Sequence, residues 1–296
     1  MTNLERRSVM TGVVALVALS LSCRGNPTTV LTRLEDSRRV AAELRVHFSQ
    51  AAAASNHAVM ADTDEGSIAA AREAERATQA VKNSVATLGQ LLDGLSYARE
   101  AGMLRDFGVD FSRYEELDRR VLALAVENTN LKAQALSFGP ASQAALGFRD
   151  SLERAASASP SKERCRVDRL VADAVRAVRE IQVLHAPHTA EHDDAAMTRM
   201  EKEMADLDVE ARTALTSLSD SSPGAAPAIA EARAKLDQFN AITAKIVELS
   251  RRNTNVLALD LSLRKKPELA AACDQRIRAL QAALASEGTS PSKGAR

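Results

Sequence analysis

Tryptophan is absent from this chain of 296 residues, and aromatic residues make up 3% of it. Aromatic-lined ligand pockets and base-stacking platforms are therefore not expected. Net charge is lacking too. Lys+Arg and Asp+Glu both number 39, so no basic field argues for nucleic acid as a partner. Proline (8) and glycine (12) are sparse, which leaves few places for the chain to turn. The sequence has no alternating strand pattern, no Gly-rich phosphate loop and no GxSxG elbow. A nucleophile, a base and an orienting group are nowhere gathered in one place. These absences argue against an enzyme and against a bound cofactor.

What is present begins at the N-terminus. Arg6 and Arg7 precede an uncharged apolar run, Val9 to Ser22, which ends at Cys23. That order is a bacterial signal peptide, and the run is too short for a transmembrane helix. A cysteine in this place resembles a bacterial lipoprotein signal, whose last four residues usually read Leu-(Ala/Ser)-(Gly/Ala)-Cys. Here they are Ser20-Leu21-Ser22-Cys23, with the leucine one place off. Arg6-Arg7-Ser8-Val9-Met10 also resembles a twin-arginine export signal. The resemblance implies removal of residues 1–22 and attachment of lipid (palmitate among its acyl chains) at Cys23. The mature protein is then exported to the bacterial cell envelope and tethered to a membrane, on its periplasmic face or at the cell surface. No second apolar run of spanning length follows.

The mature chain, about 270 residues long, is enough to bury a large core. It is rich in Ala, Leu, Glu and Arg, the strong helix formers. After a leader, 23–29, three turn signals stand out: Gly94-Leu95-Ser96, the segment 157–161 and the segment 219–227. They separate four helical segments, 30–92, 97–156, 162–218 and 225–286, and the tail 287–296 reads as disordered. Helices of about 60 residues would be about 90 Å long and need partners along their length. Short connections make neighbours antiparallel. The expected fold is all-α, an elongated up-down-up-down four-helix bundle over 30–286.

The chain also repeats itself. Asn128-Thr129-Asn130 recurs as Asn253-Thr254-Asn255, and at the same offset Leu136-Ser137 meets Leu261-Ser262. Upstream, Tyr114, Leu117, Val121 and Leu124 meet Phe239, Ile242, Ile246 and Leu249. This reads as a duplicated helical hairpin, 30–156 and 162–286. Coiled-coil spacing puts Asn128 and Asn253 at core positions. Asn130 and Asn255, two residues on, are expected to point elsewhere.

The same spacing in the third segment aligns Val178, Ile181, His185, His188 and His192, with Glu191, Asp193 and Asp194 beside them. Heptad steps back from Leu88 through Val85 and Val81 reach Asp64, Met60 and His57, flanked by Asp62 and Glu65. Asp64, Asn128, His188 and Asn253 each lie about 32 residues from a turn, at similar heights. A polar layer is thus expected across the middle of the bundle. Three readings stay open. The layer could fix register, with Asn, Asp and His satisfying one another. It could be a pocket for a small polar ligand. Or His185, His188 and His192, with Asp64 or Glu191, could bind a metal, although Pro187 lies within that group and is expected to bend or break the helix. Cys165 and Cys273 fall at similar heights on adjacent helices, so a disulfide is permitted in an exported protein; two free buried thiols are the alternative.

A duplicated helical hairpin outside a membrane anchor resembles the sensor domains of methyl-accepting chemotaxis proteins. The segments that carry the resemblance run from His57 to Glu65, from Glu127 to Gln134 and from Leu249 to Val256. It implies sensing or ligand binding rather than catalysis. Such receptors add a second membrane helix and a cytoplasmic coiled coil, which do not follow here. Sensing would then be reported through a protein partner or a homodimer. The alternative is a purely structural, self-associating envelope protein. Replacing Cys23 with Ser is expected to move the protein from the membrane fraction to the soluble fraction of lysed cells. Unchanged membrane partition of Cys23→Ser would dismiss the lipoprotein assignment.

Overall fold

The computed structural model describes residues 27–287. The expected signal peptide, Cys23 and the tail beyond Glu287 lie outside the described residues. Among the described residues the fold is all-helical, without strands, and no helix is long and apolar enough to cross a membrane. The helices are α1 (Pro27–Met60), α2 (Asp64–Leu95), α3 (Ala98–Glu127), α4 (Thr129–Leu136) and α5 (Ser142–Ser157). They continue with α6 (Arg164–Ala190), α7 (Asp194–Ser221), α8 (Ala226–Arg252), α9 (Thr254–Arg264) and α10 (Lys266–Ser286). A π turn, Ser137–Ala141, joins α4 to α5 and accommodates Pro140.

The three expected turns are in place, but the four expected helices are not continuous. The first reverses at residues 61–63. Thr63 is extended and its hydroxyl caps the Gly66 N–H (3.1 Å), while Asp64 and Glu65 occupy the acidic first turn of α2. The third reverses at residues 191–193. There the Glu191 carboxylate accepts from the backbone of His192 (2.8 Å) and Asp193 (3.0 Å), and Asp193 caps the Ala196 N–H (2.7 Å). Asp64, expected in the buried layer, thus stands in a first helical turn, and Glu191 and Asp193, expected beside the histidines, cap the other reversal. Pro187, expected to bend or break the helix, does not break it. The helix runs through the exposed proline to Ala190. The second and fourth helices break at Asn128 and Asn253, both in the left-handed region at φ 50° and 51°.

These breaks make two hairpins where two single helices were expected. In the first, Arg33 Nη1 donates to Gly94 O (3.1 Å) at one end, and Ser67 Oγ donates to Ala58 O (3.2 Å) at the other. The second joins α6 and α7 through an Arg176–Glu210 ion pair (2.7 Å). The hairpin α1–α2 packs with α3 and, from the far end of the chain, α10. The hairpin α6–α7 packs with α8 and, from the first half, α5. Each half therefore hands its last helix to the other. The first group closes over Leu44, Phe48, Phe107, Tyr114, Ile277 and Leu280, and Phe48 meets the Tyr114 ring edge-on at 5.1 Å. The second closes over Phe148, Leu152, Ile181, Leu215, Leu236 and Phe239.

A charged pair seals the first group. Lys266, the first residue of α10, reaches Asp118 on α3 (2.6 Å), and both side chains are 4% exposed. Ser55 on α1 donates to the same carboxylate (2.5 Å) and accepts from Lys266. The ammonium lies 5.6 Å from the centre of the Tyr114 ring. Burial first, and then the Asp118 charge, hold the Tyr114 phenol above its ordinary pKa. Removing one partner of such a pair strands the other charge. Lys266→Met is expected to cost about 3–5 kcal/mol in urea denaturation, and the double variant Lys266→Met/Asp118→Leu to recover most of that loss. A double variant no more stable than the single one would show that the helices cannot repack around an apolar pair.

Candidate functional site

The chain crosses itself where the two Asn-Thr-Asn segments meet, and this waist is the candidate site. A left-handed residue ends a helix, and the first amides of the next helix then lack partners. Asparagine tolerates that backbone better than most residues. The orphaned amides at the starts of α4 and α9 are capped by the opposite segment. Thr129 N donates to Thr254 Oγ1 (3.2 Å) and Thr254 N to Thr129 Oγ1 (3.1 Å). Asn130 N donates to Asn255 Oδ1, and Asn255 N to Asn130 Oδ1, each at 3.1 Å. The amide Nδ2 of Asn255 donates to Asn128 Oδ1 (2.9 Å) and that of Asn130 to Asn253 Oδ1 (2.8 Å). Outside them an Arg252–Glu127 ion pair (2.9 Å) joins equivalent positions of the two halves.

The clasp also caps the end of α6. Asn130 Nδ2 donates to Thr189 O and Asn253 Nδ2 to Glu191 O, both at 2.6 Å. Thr189 Oγ1 donates to His185 O (2.8 Å) and touches Ser250 Oγ (3.1 Å). The His185 ring lies between two hydroxyls, Ser137 Oγ at Nδ1 and Thr243 Oγ1 at Nε2, each 3.1 Å away, and stacks on Phe239. A neutral ring suits this place, because one nitrogen donates and the other accepts. Burial first, and then the His188 charge, lower its pKa from 6.5 to about 4.

One turn on, His188 is fully buried, with Nε2 2.9 Å from Glu201 Oε1. Arg251 grips the same carboxylate through Nε (2.6 Å) and Nη2 (3.0 Å) and holds Glu201 below its ordinary pKa. An ionised carboxylate only accepts, so Nε2 donates. His188 Nδ1 is buried without a partner, as is Asn128 Nδ2. A His–Glu pair held by arginine has the parts of a general base, yet here the ring has no exposed surface for a substrate to reach. At the matching positions of the first half stand Ala58, Ala71 and Val126.

The waist keeps Asn128, Asn253, His185 and His188 from the expected set and drops the rest. His57 is exposed on the last turn of α1. Asp64 meets Lys132 (3.5 Å) rather than the asparagines. His192 sits in the α6–α7 reversal with its side chain 83% exposed. Among the described residues no group of three or more His, Cys, Asp or Glu is placed to hold a metal ion, and exposed His192 is not gathered with buried His185 and His188. The permitted disulfide between Cys165 and Cys273 does not form. Cys165 is exposed and free, and Cys273 is buried and free. Burial pushes the Cys273 thiol up to about 12. Equal height did not make them neighbours, because α10 crosses to α1 and α3. Asn130 and Asn255 do face the waist, contrary to the expectation, since a left-handed break resets the helical phase. Glu201, Arg251, Thr189, Ser250 and Thr243 went unread. The duplicated Asn-Thr-Asn was the signal for the site. Grooves lie away from the waist, one of about 580 Å³ beside Arg45, Val46 and Gln281 and one of about 450 Å³ beside Arg149, Asp168 and Val175.

The lowered pKa of His185 has a definite sign. The unfolded chain takes up the proton below about 6.5, while the folded chain resists until about 4. The contribution to stability is therefore complete above about 6.5 and is lost as pH falls toward about 4, by about 3 kcal/mol. His185→Gln should remove that part of the acid sensitivity in urea titrations between pH 7 and pH 4. Parallel profiles for wild type and variant would mean that the ring is solvated. His188→Leu separates the two histidines, since it leaves the His185 hydroxyl contacts in place.

Comparison with known proteins finds no family model, no curated protein and no solved structure that matches this chain.

Proposed function

We propose that this chain is a membrane-anchored envelope lipoprotein whose helical body is a protein-binding or structural module, with no catalytic role. In this reading each helical group is an up-down four-helix bundle, and the two are joined at the waist in place of one long bundle. One observation carries the reading. The polar residues that could have lined a ligand pocket are bonded reciprocally to each other and to the end of α6. Such a layer is expected of groups that fix register and orientation. The anchor rests on Cys23 and the run before it. The resemblance to chemotaxis sensor domains fits a module that reports to a protein partner.

A second reading, a small polar ligand at the waist, rests on two atoms. His188 Nδ1 and Asn128 Nδ2 are both buried without partners, and such groups usually find water or a ligand. Native mass spectrometry of the protein purified from its membrane separates the readings. The expected spectrum shows the lipidated chain, alone or with another polypeptide, and no small adduct. A small-molecule adduct that disappears in Asn128→Ala would overturn the structural reading in favour of the ligand.

A further inference from the structure

Each half of the chain is an incomplete fold. Helices α1 to α3 present an open apolar trough, and what fills it is α10 from the other half, with Cys273, Ile277, Leu280 and Leu284 buried in it. Polar contacts fix its register. Arg38 Nε donates to Leu284 O (2.9 Å), Gln281 Nε2 to Ala41 O (3.1 Å), Arg276 Nε to Asp110 Oδ2 (3.1 Å), and Lys266 enters the Asp118 site. The trough of α6 to α8 is filled in the same way by α5, with Phe148 and Leu152 fully buried and an Arg154–Glu231 ion pair (2.5 Å) outside. Ahead of the two donated helices, at the starts of α4 and α9, the clasp joins two identical tripeptides by paired, reciprocal bonds. Such an interface is self-complementary in the manner of a symmetric dimer. Between α5 and α6 the halves are linked only by a short turn, in which Pro160, Ser161 and Lys162 are exposed.

We infer that the trough formed by α1 to α3 is a binding surface for the C-terminal half-chain, and that it accepts that half from a second copy of this protein as readily as from its own chain. The covalent turn contributes effective concentration and no specificity. The inference does not depend on the function proposed above, because it concerns contacts present whatever the protein binds.

The test uses the full chain with a protease site inserted at Ser161–Lys162 and cut after folding. Size exclusion and native mass spectrometry should show one complex holding both halves. Two cut preparations, one isotope-labelled, are then mixed, unfolded in urea and refolded together. Mixed pairs of one labelled and one unlabelled half are expected in statistical proportion. Mixing after separate refolding should give almost none. Thr129→Val with Thr254→Val should speed exchange in native buffer, because the clasp is weakened while the troughs remain. Separation of the halves on cutting would overturn the inference. So would refolding that never yields mixed pairs. If refolding gives precipitate, slow exchange in native buffer over days reads the same quantity, and a complete lack of exchange in the clasp variant counts against the inference.

Discussion

The fold depends on the reciprocal capping of two helix starts by each other's side chains. A left-handed asparagine costs on the order of 1 kcal/mol, and the helix that restarts after it exposes amides with nowhere to bond. Either break alone would be a buried defect. Placed face to face, each supplies the acceptors that the other lacks, and every clasp bond is worth about 1 kcal/mol net. The breaks therefore stand as a pair. Because they redirect α4 and α9, they also decide which group receives α5 and which receives α10.

The two halves share this geometry and differ in what they bury around it. Ser55 and His185 stand equally far before the end of the first helix of each hairpin, and Asp118 and Thr243 equally far before the clasp. In one group the layer is an ammonium–carboxylate–hydroxyl chain. In the other it is a neutral imidazole between hydroxyls. Both satisfy a buried polar layer, one by pairing charges and the other by avoiding them. Nearer the clasp the contrast sharpens. Ala54, Ala58, Ala71, Ala74 and Ala125 pack as a small apolar cluster in the first group. The second places His188, Glu201 and Arg251 there. A duplicated scaffold thus carries a charged cluster in one half only, beside the waist.

The acidic residues show how a one-dimensional pattern misleads. Asp64 falls on a heptad register with apolar residues, and Glu191 and Asp193 lie beside one, so a continuous helix would put Asp64 in the core. Each also satisfies the chemistry of a helix start, where a carboxylate or hydroxyl meets free amides and the positive end of the dipole. Capping wins because it pairs the amides, with Thr63, Glu191 and Asp193 accepting from free backbone N–H groups. A continuous helix of twice the length would have buried charge with no partner.

The sequence by itself determined that the chain is helical, since its composition favours helix and no strand pattern competes with it. It also determined where the wide turns fall and that the two halves are related. Asn128, Asn253, His185 and His188 were legible as buried polar groups because their spacing places them among apolar residues. Only the tertiary structure decided that Asn128 and Asn253 are left-handed hinges, that Asn130 and Asn255 turn inward, and that Glu201 and Arg251 join His188. It alone showed α10 beside α1, where Cys273 is buried and free. The reason is physical. Helix propensity and apolar period are summed along a segment, so they can be read locally. A left-handed break is stable only when a distant segment caps it, and no local pattern records which distant segment that is.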